Sequence, residues 1–287
     1  MLRIVTDSAA DLLPDERDAL GIIVAPLRIQ FPEGMVDSED ISRDEFYARL
    51  EAMWPQIPST SLPPPGIFSE LYREIAQKDK DILSVHISSG LSNTFESASL
   101  GARDVENANI DIVDSMTLSG GQRYQVLSAA LAAQAGKSKP VILDQLNQIR
   151  KSTETIYTLD TLSYLAKGGR IGRVQALTGS LLNIKPLIHV DRTDGKYSTI
   201  GKERTITRAL ETIALHLAKE YGDTRLWVSV IHGQAPDFAD QLTKLLREKI
   251  NVAKLESLRI SPVLGVHTGP KIVGASVVPI SLMEVPS

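Results

Sequence analysis

The stretch that decides the fold is ILSVHISSGLSNTF, residues 82–95. It begins with a short apolar run at 82–87, continues through a small polar turn, and leads into a helical pattern from about Phe95. Similar units occur before it at 2–13 and after it at 110–135. Strands that alternate with helices in this way are typical of a parallel sheet with helices on both faces.

Hydroxyl-bearing residues follow the predicted strands of these units. Ser8 is a plausible N-cap of the first helix, and Ser88, Ser89 and Ser92 follow the second strand. In open parallel sheets, ligands bind beyond the carboxyl ends of the strands. The pattern therefore indicates a ligand site at this edge, although serine and aspartate also form turns and helix caps without binding anything.

A long, irregular stretch at 29–65 separates the first two units. A short helix is predicted within it near 43–53, and the rest looks extended. Its end is PSTSLPPPG, residues 58–66, where prolines hold Thr60 and Ser61 in a stiff path. Long loops in compact domains tend to be functional, so this one can aim a hydroxyl at a ligand.

The second half of the chain predicts a smaller domain. The expected boundary divides a Rossmann-like α/β domain at 1–154 from an α+β domain at 155–287. The Asp194-Gly195 pair is a hairpin signal between strands at 185–191 and 197–200. Further elements are predicted as helices at 161–167, 173–182, 203–221 and 236–250, and as strands at 155–158, 226–231, 253–259 and 274–279. An apolar run at 263–267 leads into a Gly-Pro loop, and it is expected to place His267 at a strand end.

The composition excludes several classes of protein. A chain of 287 residues that is 43% hydrophobic and 23% charged is long enough for two cores. Its formal net charge of −4 argues against a general nucleic-acid-binding surface. The absence of cysteine excludes thiol chemistry and thiolate metal sites. Because no leader and no run of about 18 apolar residues is evident, we expect an unanchored cytoplasmic protein.

The glycine-rich turn GGRIG, residues 168–172, resembles a phosphate-cradling loop. It lacks the Lys-Ser/Thr ending of a Walker loop, so direct nucleotide binding is disfavoured. The remaining alternatives are a simple junction of two helices and a docking role for Arg170 and Arg173. Arg170 is the sharper candidate, because an exposed guanidinium among glycines has little packing to do.

The histidines and two aspartates divide into structural and candidate functional groups. His86 and His189 lie within apolar strand patterns, which favours a structural role. A structural role is also favoured for His232, which ends a predicted strand. His216 lies in the middle of a predicted helix and is expected at the surface. His267 precedes Thr268-Gly269-Pro270 at the end of an apolar run, and a functional role and a structural role are equally compatible with that position. Asp7 and Asp114 could hold Mg²⁺ or act as a base, although helix capping is favoured. No histidine pair has metal-ligand spacing.

A set of motifs along the whole chain resembles the DegV family. They are IVTDSAADL at 4–12, TSLP at 60–63, ISSGLSNT at 87–94, VDS at 113–115, LAKGGRIG at 165–172, GSLLNIKP at 179–186, HGQAP at 232–236 and HTGP at 267–270. Each motif alone is weak, but their order and spacing together are specific. The resemblance implies a two-domain α/β protein that binds a fatty acid between its domains. It also implies a non-catalytic subunit that delivers the carboxylate to a separate ATP-binding kinase subunit, which makes acyl phosphate for phospholipid synthesis in bacteria.

The resemblance also implies particular site residues. Thr60 and Ser92 match the hydroxyls that hold the carboxylate, and His267 matches the histidine beside it. Ser61, Asn93 and Thr268 are implied as further contacts of the carboxylate. Arg170 matches an arginine that meets the kinase subunit, and Arg173 is expected beside it. No metal or cofactor other than the bound fatty acid is implied.

The chain departs from the family pattern near the expected head group. Asn93 stands where glycine is usual, Leu62 where glutamine is usual, Pro64 where serine is usual, and Lys271 where a second glycine is usual. Asparagine tolerates a left-handed backbone, so Asn93 is compatible with the turn. Leu62 removes a polar group and Lys271 adds a cation.

Two alternatives to a fatty-acid carrier remain open. One is a subunit that resembles the dihydroxyacetone-kinase substrate domain, in which a histidine captures a small carbonyl compound. The other is a regulatory or lipid-sensing α/β protein without a kinase partner. A long apolar cavity would favour the carrier, and a small polar pocket would favour the carbonyl-binding subunit.

Overall fold

The computed structural model describes residues 1–177 and 184–285. The strands are β1 Arg3–Asp7, β2 Ile23–Ala25, β3 Arg28–Phe31, β4 Gly34–Asp37, β5 Ser59–Ser61, β6 Asp81–His86, β7 Asn109–Asp114, β8 Glu154–Thr158, β9 Lys185–Val190, β10 Tyr197–Glu203, β11 Leu226–His232, β12 Val252–Arg259 and β13 Val273–Pro279. The α-helices are α1 Pro14–Leu20, α2 Arg43–Ala52, α3 Pro65–Ala76, α4 Thr94–Arg103, α5 Ser119–Gln134, α6 Lys139–Ser152, α7 Ser163–Lys167, α8 Ile206–Tyr221, α9 Pro236–Lys249 and α10 Pro262–Thr268. Short 3₁₀ helices cover Ser8–Ala10, Gly172–Leu177 and Ile280–Met283.

The first half of the chain contains the parallel sheet that the alternating units predict. Its strand order is β2-β1-β6-β7, and all its neighbouring strands are parallel. Because β2 and β6 lie on opposite sides of β1, the strand order reverses there and opens a crevice at the carboxyl ends. The loop that follows β6 therefore starts at the edge where a ligand is expected.

The irregular stretch of the sequence forms a second, antiparallel sheet with the order β4-β3-β5. The predicted short helix is confirmed as α2, with the Ser42 hydroxyl accepting a hydrogen bond from Glu45 N at 3.2 Å. The sheet itself was not predicted, since its strands are only three or four residues long. It holds Thr60 in a defined position.

The second half forms a six-stranded mixed sheet with the order β10-β9-β8-β13-β11-β12. Only the β11–β12 pair is parallel. Together with the parallel sheet and its helices, this sheet confirms the predicted α/β fold. The boundary at residue 154 stays a prediction; β8 begins there.

Helix α5 lies between the parallel sheet and the mixed sheet and contacts both. Gly120 and Gly121 allow this close approach, because a Cβ at Gly120 would lie 2.8 Å from Ser276 Cβ and one at Gly121 would lie 2.7 Å from Thr155 Oγ1. Arg123, on the same helix, is fully buried and forms ion pairs with Glu16 and Glu256. Helix α5 is thus one of the junctions between the two halves.

Two local predictions are wrong, and a third is tested only in part. The 263–267 segment is part of helix α10 and not a strand, because Ser261 and Pro262 start a helix and the surrounding elements bury all its faces. The first cap is Asp7, which accepts a hydrogen bond from Ala9 N at 3.0 Å, rather than Ser8. The predicted 173–182 helix begins as the 3₁₀ helix Gly172–Leu177, and residues 178–183 lie outside the described part of the chain.

Candidate functional site

A cavity of about 290 Å³ lies between the parallel sheet and the mixed sheet. Its apolar walls come from both halves of the chain and belong to, or pack against, the hydrophobic cluster between them. The lining side chains are Leu27, Thr60, Ser61, Leu62, Ile87, Leu91, Ser92, Arg170, Tyr197, Val263, Leu264 and His267. The cavity therefore combines an apolar wall with a small set of hydrogen-bonding groups, as is usual for small-molecule sites.

Thr60 is held at the cavity by main-chain pairing. It lies in β5 opposite Ile29 of the fully buried part of β3. The chain then leaves β5 through Pro63, whose carbonyl accepts a hydrogen bond from Ser97 Oγ at 2.6 Å. The segment is extended, as expected, and it places Thr60 in the cavity wall.

His267 meets Thr60 directly. Thr60 Oγ1 and His267 Nε2 lie 2.9 Å apart, and the His267 side chain is on the buried helix α10 with 9% of its surface exposed. The two residues are far apart in the sequence, so only the fold brings them together. The structure thus joins Thr60 and His267, two of the three residues predicted to hold a carboxylate, in one hydrogen-bonded pair.

The protonation of His267 follows from its surroundings. Burial, assisted by the nearby Arg170 guanidinium, lowers the pKa of His267 to about 3. The imidazole is therefore neutral at physiological pH. Its Nδ1 is buried with no hydrogen-bond partner within residues 1–177 and 184–285. We assign the proton to Nε2, since a buried N–H without an acceptor is the less favourable arrangement. Nε2 then donates to Thr60 Oγ1, which leaves the Thr60 hydroxyl proton free for a ligand oxygen.

Gly168 provides the surface on which the His267 ring lies. A Cβ at position 168 would overlap His267 Nδ1, although the backbone there is in an ordinary helical conformation. The first glycine of the GGRIG turn is thus required by packing against the histidine. The phosphate-cradling alternative for this glycine is not needed to explain it.

Ser92 lies in the loop between β6 and α4. Its hydroxyl is 2.8 Å from Thr94 Oγ1 and accepts a hydrogen bond from Thr94 N at 3.3 Å. Ser92 therefore helps to form the turn that leads into α4 and also lies in the cavity wall. The N-terminus of α4 begins beside it, and its unpaired N–H groups favour a negative charge nearby.

Arg170 lies in the cavity wall, partly buried, and not on the open surface that the glycine-rich turn predicted. Its Nη1 donates to Gly168 O at 2.7 Å. This folds the guanidinium back over the turn and toward His267. Arg173 instead forms an exposed ion pair with Asp194 at 2.8 Å and does not line the cavity.

Of the three other residues predicted to contact the carboxylate, one lines the cavity and two do not. Ser61 lines the cavity. Asn93 is exposed and precedes α4 with φ −79°, so the left-handed backbone considered for it is not used. Thr268 is buried, and its Oγ1 donates to Leu264 O at 3.1 Å within α10. Thr268 and Lys271 line a separate pocket, where Lys271 Nζ lies 3.7 Å from Asp160.

Structural roles are confirmed for two of the histidines and for Asp7, whereas Asp114 holds a turn and does not form the predicted helix cap. His86 is fully buried and shares hydrogen bonds with Asp7 Oδ2 at 2.9 Å and Ser84 Oγ at 2.7 Å. His189 Nδ1 lies 2.8 Å from Glu154. Asp114 accepts a hydrogen bond from Met116 N at 2.9 Å, as a turn residue does. Among the residues described, no group of three or more His, Asp or Glu side chains is placed to hold a metal ion.

Sequence reasoning did not identify the apolar members of the cavity wall apart from Leu62. Leu27, Tyr197 and Val263 come from unrelated elements, and no local pattern distinguishes them from ordinary core residues. The one available signal was the Asp194-Gly195 turn, which places Tyr197 at the start of its strand. Leu62, singled out as a departure from the family pattern, also lines the cavity.

The fold and the site together define an α/β protein in which one cavity between two sheets combines apolar walls with a small set of hydrogen-bonding side chains. The family model described as "Uncharacterised protein, DegV family" matches residues 1–280. The chain belongs to the DegV family. A DegV domain-containing protein of Deinococcus radiodurans is 35% identical over 277 residues, which cover 96% of this chain and 95% of that protein.

Solved structures of related proteins have the same fold. A DegV family protein from Thermus thermophilus, described with fatty acid binding, superposes with a TM-score of 0.90 at 30% identity and covers 97% of this chain and 99% of its own. DegV of Bacillus subtilis, a fatty acid binding protein, has a TM-score of 0.87 at 28% identity over 96% and 98% of the two chains. A stearic acid-binding protein from Eubacterium ventriosum has a TM-score of 0.84 at 28% identity over 97% and 98%.

Because His267 is neutral in the folded protein, we expect the free energy of unfolding to depend on pH. Its pKa is near 3 in the folded protein and 6.5 as the ordinary value, so below pH 6.5 the unfolded state binds the additional proton and stability falls. Between pH 7 and pH 5 the wild type should lose about 2 kcal/mol more unfolding free energy than His267→Gln. Denaturant titrations at the two pH values measure this, and equal losses in both proteins would contradict it.

Proposed function

We propose that this protein binds a long-chain fatty acid in the cavity between its two sheets and presents the carboxylate to a separate ATP-dependent kinase subunit. The observation that carries the proposal is the placement of Thr60, Ser92, Arg170 and His267 at one apolar cavity. In this proposal the protein performs no phosphoryl transfer itself. The proposed place of action is the cytoplasm. Within the described residues, no helix has the length and apolar character to cross a membrane.

The acyl tail and the carboxylate head of the fatty acid make different contributions to the binding free energy. Each acyl methylene removed from water contributes about 0.8 kcal/mol, so the tail determines most of the affinity. Hydrogen bonds to the carboxylate contribute about 1.5–3 kcal/mol each and fix its orientation. The groups that this geometry offers to the carboxylate are the Thr60 proton, freed by the donation from His267, the Ser92 hydroxyl and the Arg170 guanidinium.

The small-carbonyl alternative fits the histidine less well. Capture of a carbonyl compound by His267 would need a ring nitrogen that is free to attack. Nε2 is engaged by Thr60, and Gly168 covers Nδ1. The apolar walls also favour an acyl chain over a small polar compound.

Organic extraction of the purified protein, followed by mass spectrometry, tests the proposal. We expect a long-chain fatty acid in the extract, and stabilisation of the delipidated protein by added long-chain acid but not by dihydroxyacetone. An extract without fatty acid, together with no thermal shift on adding one, would count decisively against the proposal. Kinase delivery is tested separately, by acyl phosphate formation with a fatty-acid kinase subunit.

Arg170 provides a sharper prediction, because it lines the cavity and is also the proposed contact with the kinase subunit, beside Arg173. Arg170→Ala should weaken binding of a long-chain acid about 10-fold, the loss of one charged hydrogen bond, and should leave binding of the methyl ester unchanged. Isothermal titration of both ligands measures the difference. Arg247→Ala, which removes an exposed arginine of α9, is the matched control. If Arg170→Ala binds the acid with unchanged affinity, Arg170 does not contact the carboxylate, and contact with the kinase subunit is its one remaining proposed role.

A further inference from the structure

The loop that carries Ser92 is fastened to the opposite half of the molecule by one buried hydroxyl. Ser88 is fully buried, and its Oγ donates to Gly195 O at 2.8 Å in the turn between β9 and β10. The same Oγ accepts a hydrogen bond from Gly90 N at 3.1 Å. Ser88 therefore joins the first half of the chain to the hairpin of the second half.

Ser88 also organises its own loop. Its carbonyl accepts hydrogen bonds from Leu91 N and Ser92 N, both at 3.0 Å. Ile87, Leu91 and Ser92 line the cavity, whereas Ser88 does not. The residue thus reaches the cavity only through the neighbours that it holds.

The turn between β9 and β10 has room for the Ser88 side chain because Gly195 has no Cβ. Gly195 has φ +67°, and a Cβ there would overlap Ser88 Oγ. A Cβ at Gly90 would lie 2.8 Å from the carbonyl oxygens of both Asp194 and Gly195. Two residues beyond Gly195, Tyr197 enters the cavity wall. The contact therefore ties the loop that carries Ser92 to the hairpin.

We propose that Ser88 is a positioning residue of the head-group site, and that its hydrogen bond to Gly195 holds the Ser92 hydroxyl where it meets the carboxylate. The inference rests on the proposed fatty-acid binding. Without the Ser88 hydroxyl, Gly90 N and Gly195 O lose their partner, and the loop that carries Ser92 is no longer tied to the hairpin. Loss of the Ser88 hydroxyl should therefore weaken binding of the carboxylate head and leave binding of the acyl tail unchanged.

The test compares a long-chain acid with its methyl ester in Ser88→Ala. Acid affinity should fall about 2- to 10-fold, the effect of one neutral hydrogen bond, while ester affinity stays unchanged. In a Ser92→Ala background, Ser88→Ala should cause no further loss, because it acts through Ser92. Ser99→Ala, which removes a hydroxyl bonded within α4, is the control.

A second variant changes the same contact at the hairpin residue Gly195. Gly195→Ala places a methyl group against Ser88 and should reduce acid affinity in the same selective way. Adding Ser88→Ala removes the overlapping oxygen and leaves the Cβ atoms 3.2 Å apart, so the double variant should recover part of the lost thermal stability. Equal losses for acid and ester, or additive effects of Ser88→Ala and Ser92→Ala, would overturn this inference alone. A wild-type protein that binds no acid would overturn the proposed function itself.

Discussion

A protein that carries Thr60→Val and Ser92→Ala together should bind a long-chain fatty acid about 10²- to 10⁴-fold more weakly than the wild type. Both hydroxyls lie in the cavity wall, and each is expected to donate to a carboxylate oxygen. A buried carboxylate that loses two such partners keeps its desolvation cost but not its hydrogen bonds. Titration calorimetry with the acid measures the loss.

The methyl ester and two matched substitutions separate this effect from a general one. Ester binding should change little, because the tail contacts remain. Thr199→Val on an exposed face of β10 and Ser99→Ala within α4 remove the same groups away from the cavity and should leave acid affinity intact. If the double variant binds acid and ester with equal losses, the two hydroxyls do not define a head-group site.

The largest effect on stability is expected at Arg123, which is fully buried between Glu16 and Glu256. Removing one partner of a buried ion pair costs about 3–5 kcal/mol. We expect the lower end, about 3 kcal/mol, for Arg123→Met, because the side chains of Glu16 and Glu256 keep 23% and 19% exposure to water. The melting temperature should fall by roughly 10 °C.

An exposed ion pair in the same chain supplies the control for Arg123. Arg17 pairs with Asp18 at 3.0 Å with its side chain 40% exposed, and Arg17→Ala should change stability by less than about 1 kcal/mol. Thermal unfolding of the two variants beside the wild type tests the difference. Similar melting temperatures for Arg123→Met and Arg17→Ala would show that the buried ion pairs do not stabilise the junction of the two halves.

Elements with strong local patterns could be predicted from the sequence. The runs at 82–87 and 110–113 correspond to β6 and β7, because β-branched residues bounded by polar turns favour strands. The segment at 263–267 could not be assigned in this way. Its apolar run is equally typical of a short strand and of a buried helix, and only the packing around α10 decides between them.

The candidate site was less accessible to local reasoning. Thr60, Ser92 and His267 come from a strand, a loop and a helix, and their association in the sequence analysis came from the family resemblance. The Thr60–His267 hydrogen bond and the Ser88–Gly195 contact are tertiary, so no spacing in the sequence encodes them. The position of Arg170 in the cavity wall likewise depends on how the glycine-rich turn folds back.

The packing of Gly168 against His267 has a consequence for how the family can vary. Any side chain at 168 would displace the imidazole that orients Thr60, so a change there is tolerated only with a smaller residue at 267. The two positions should therefore covary among homologous chains as one inherited unit. A homologue that replaces the glycine would be expected to have lost the histidine as well, and with it this way of holding the threonine.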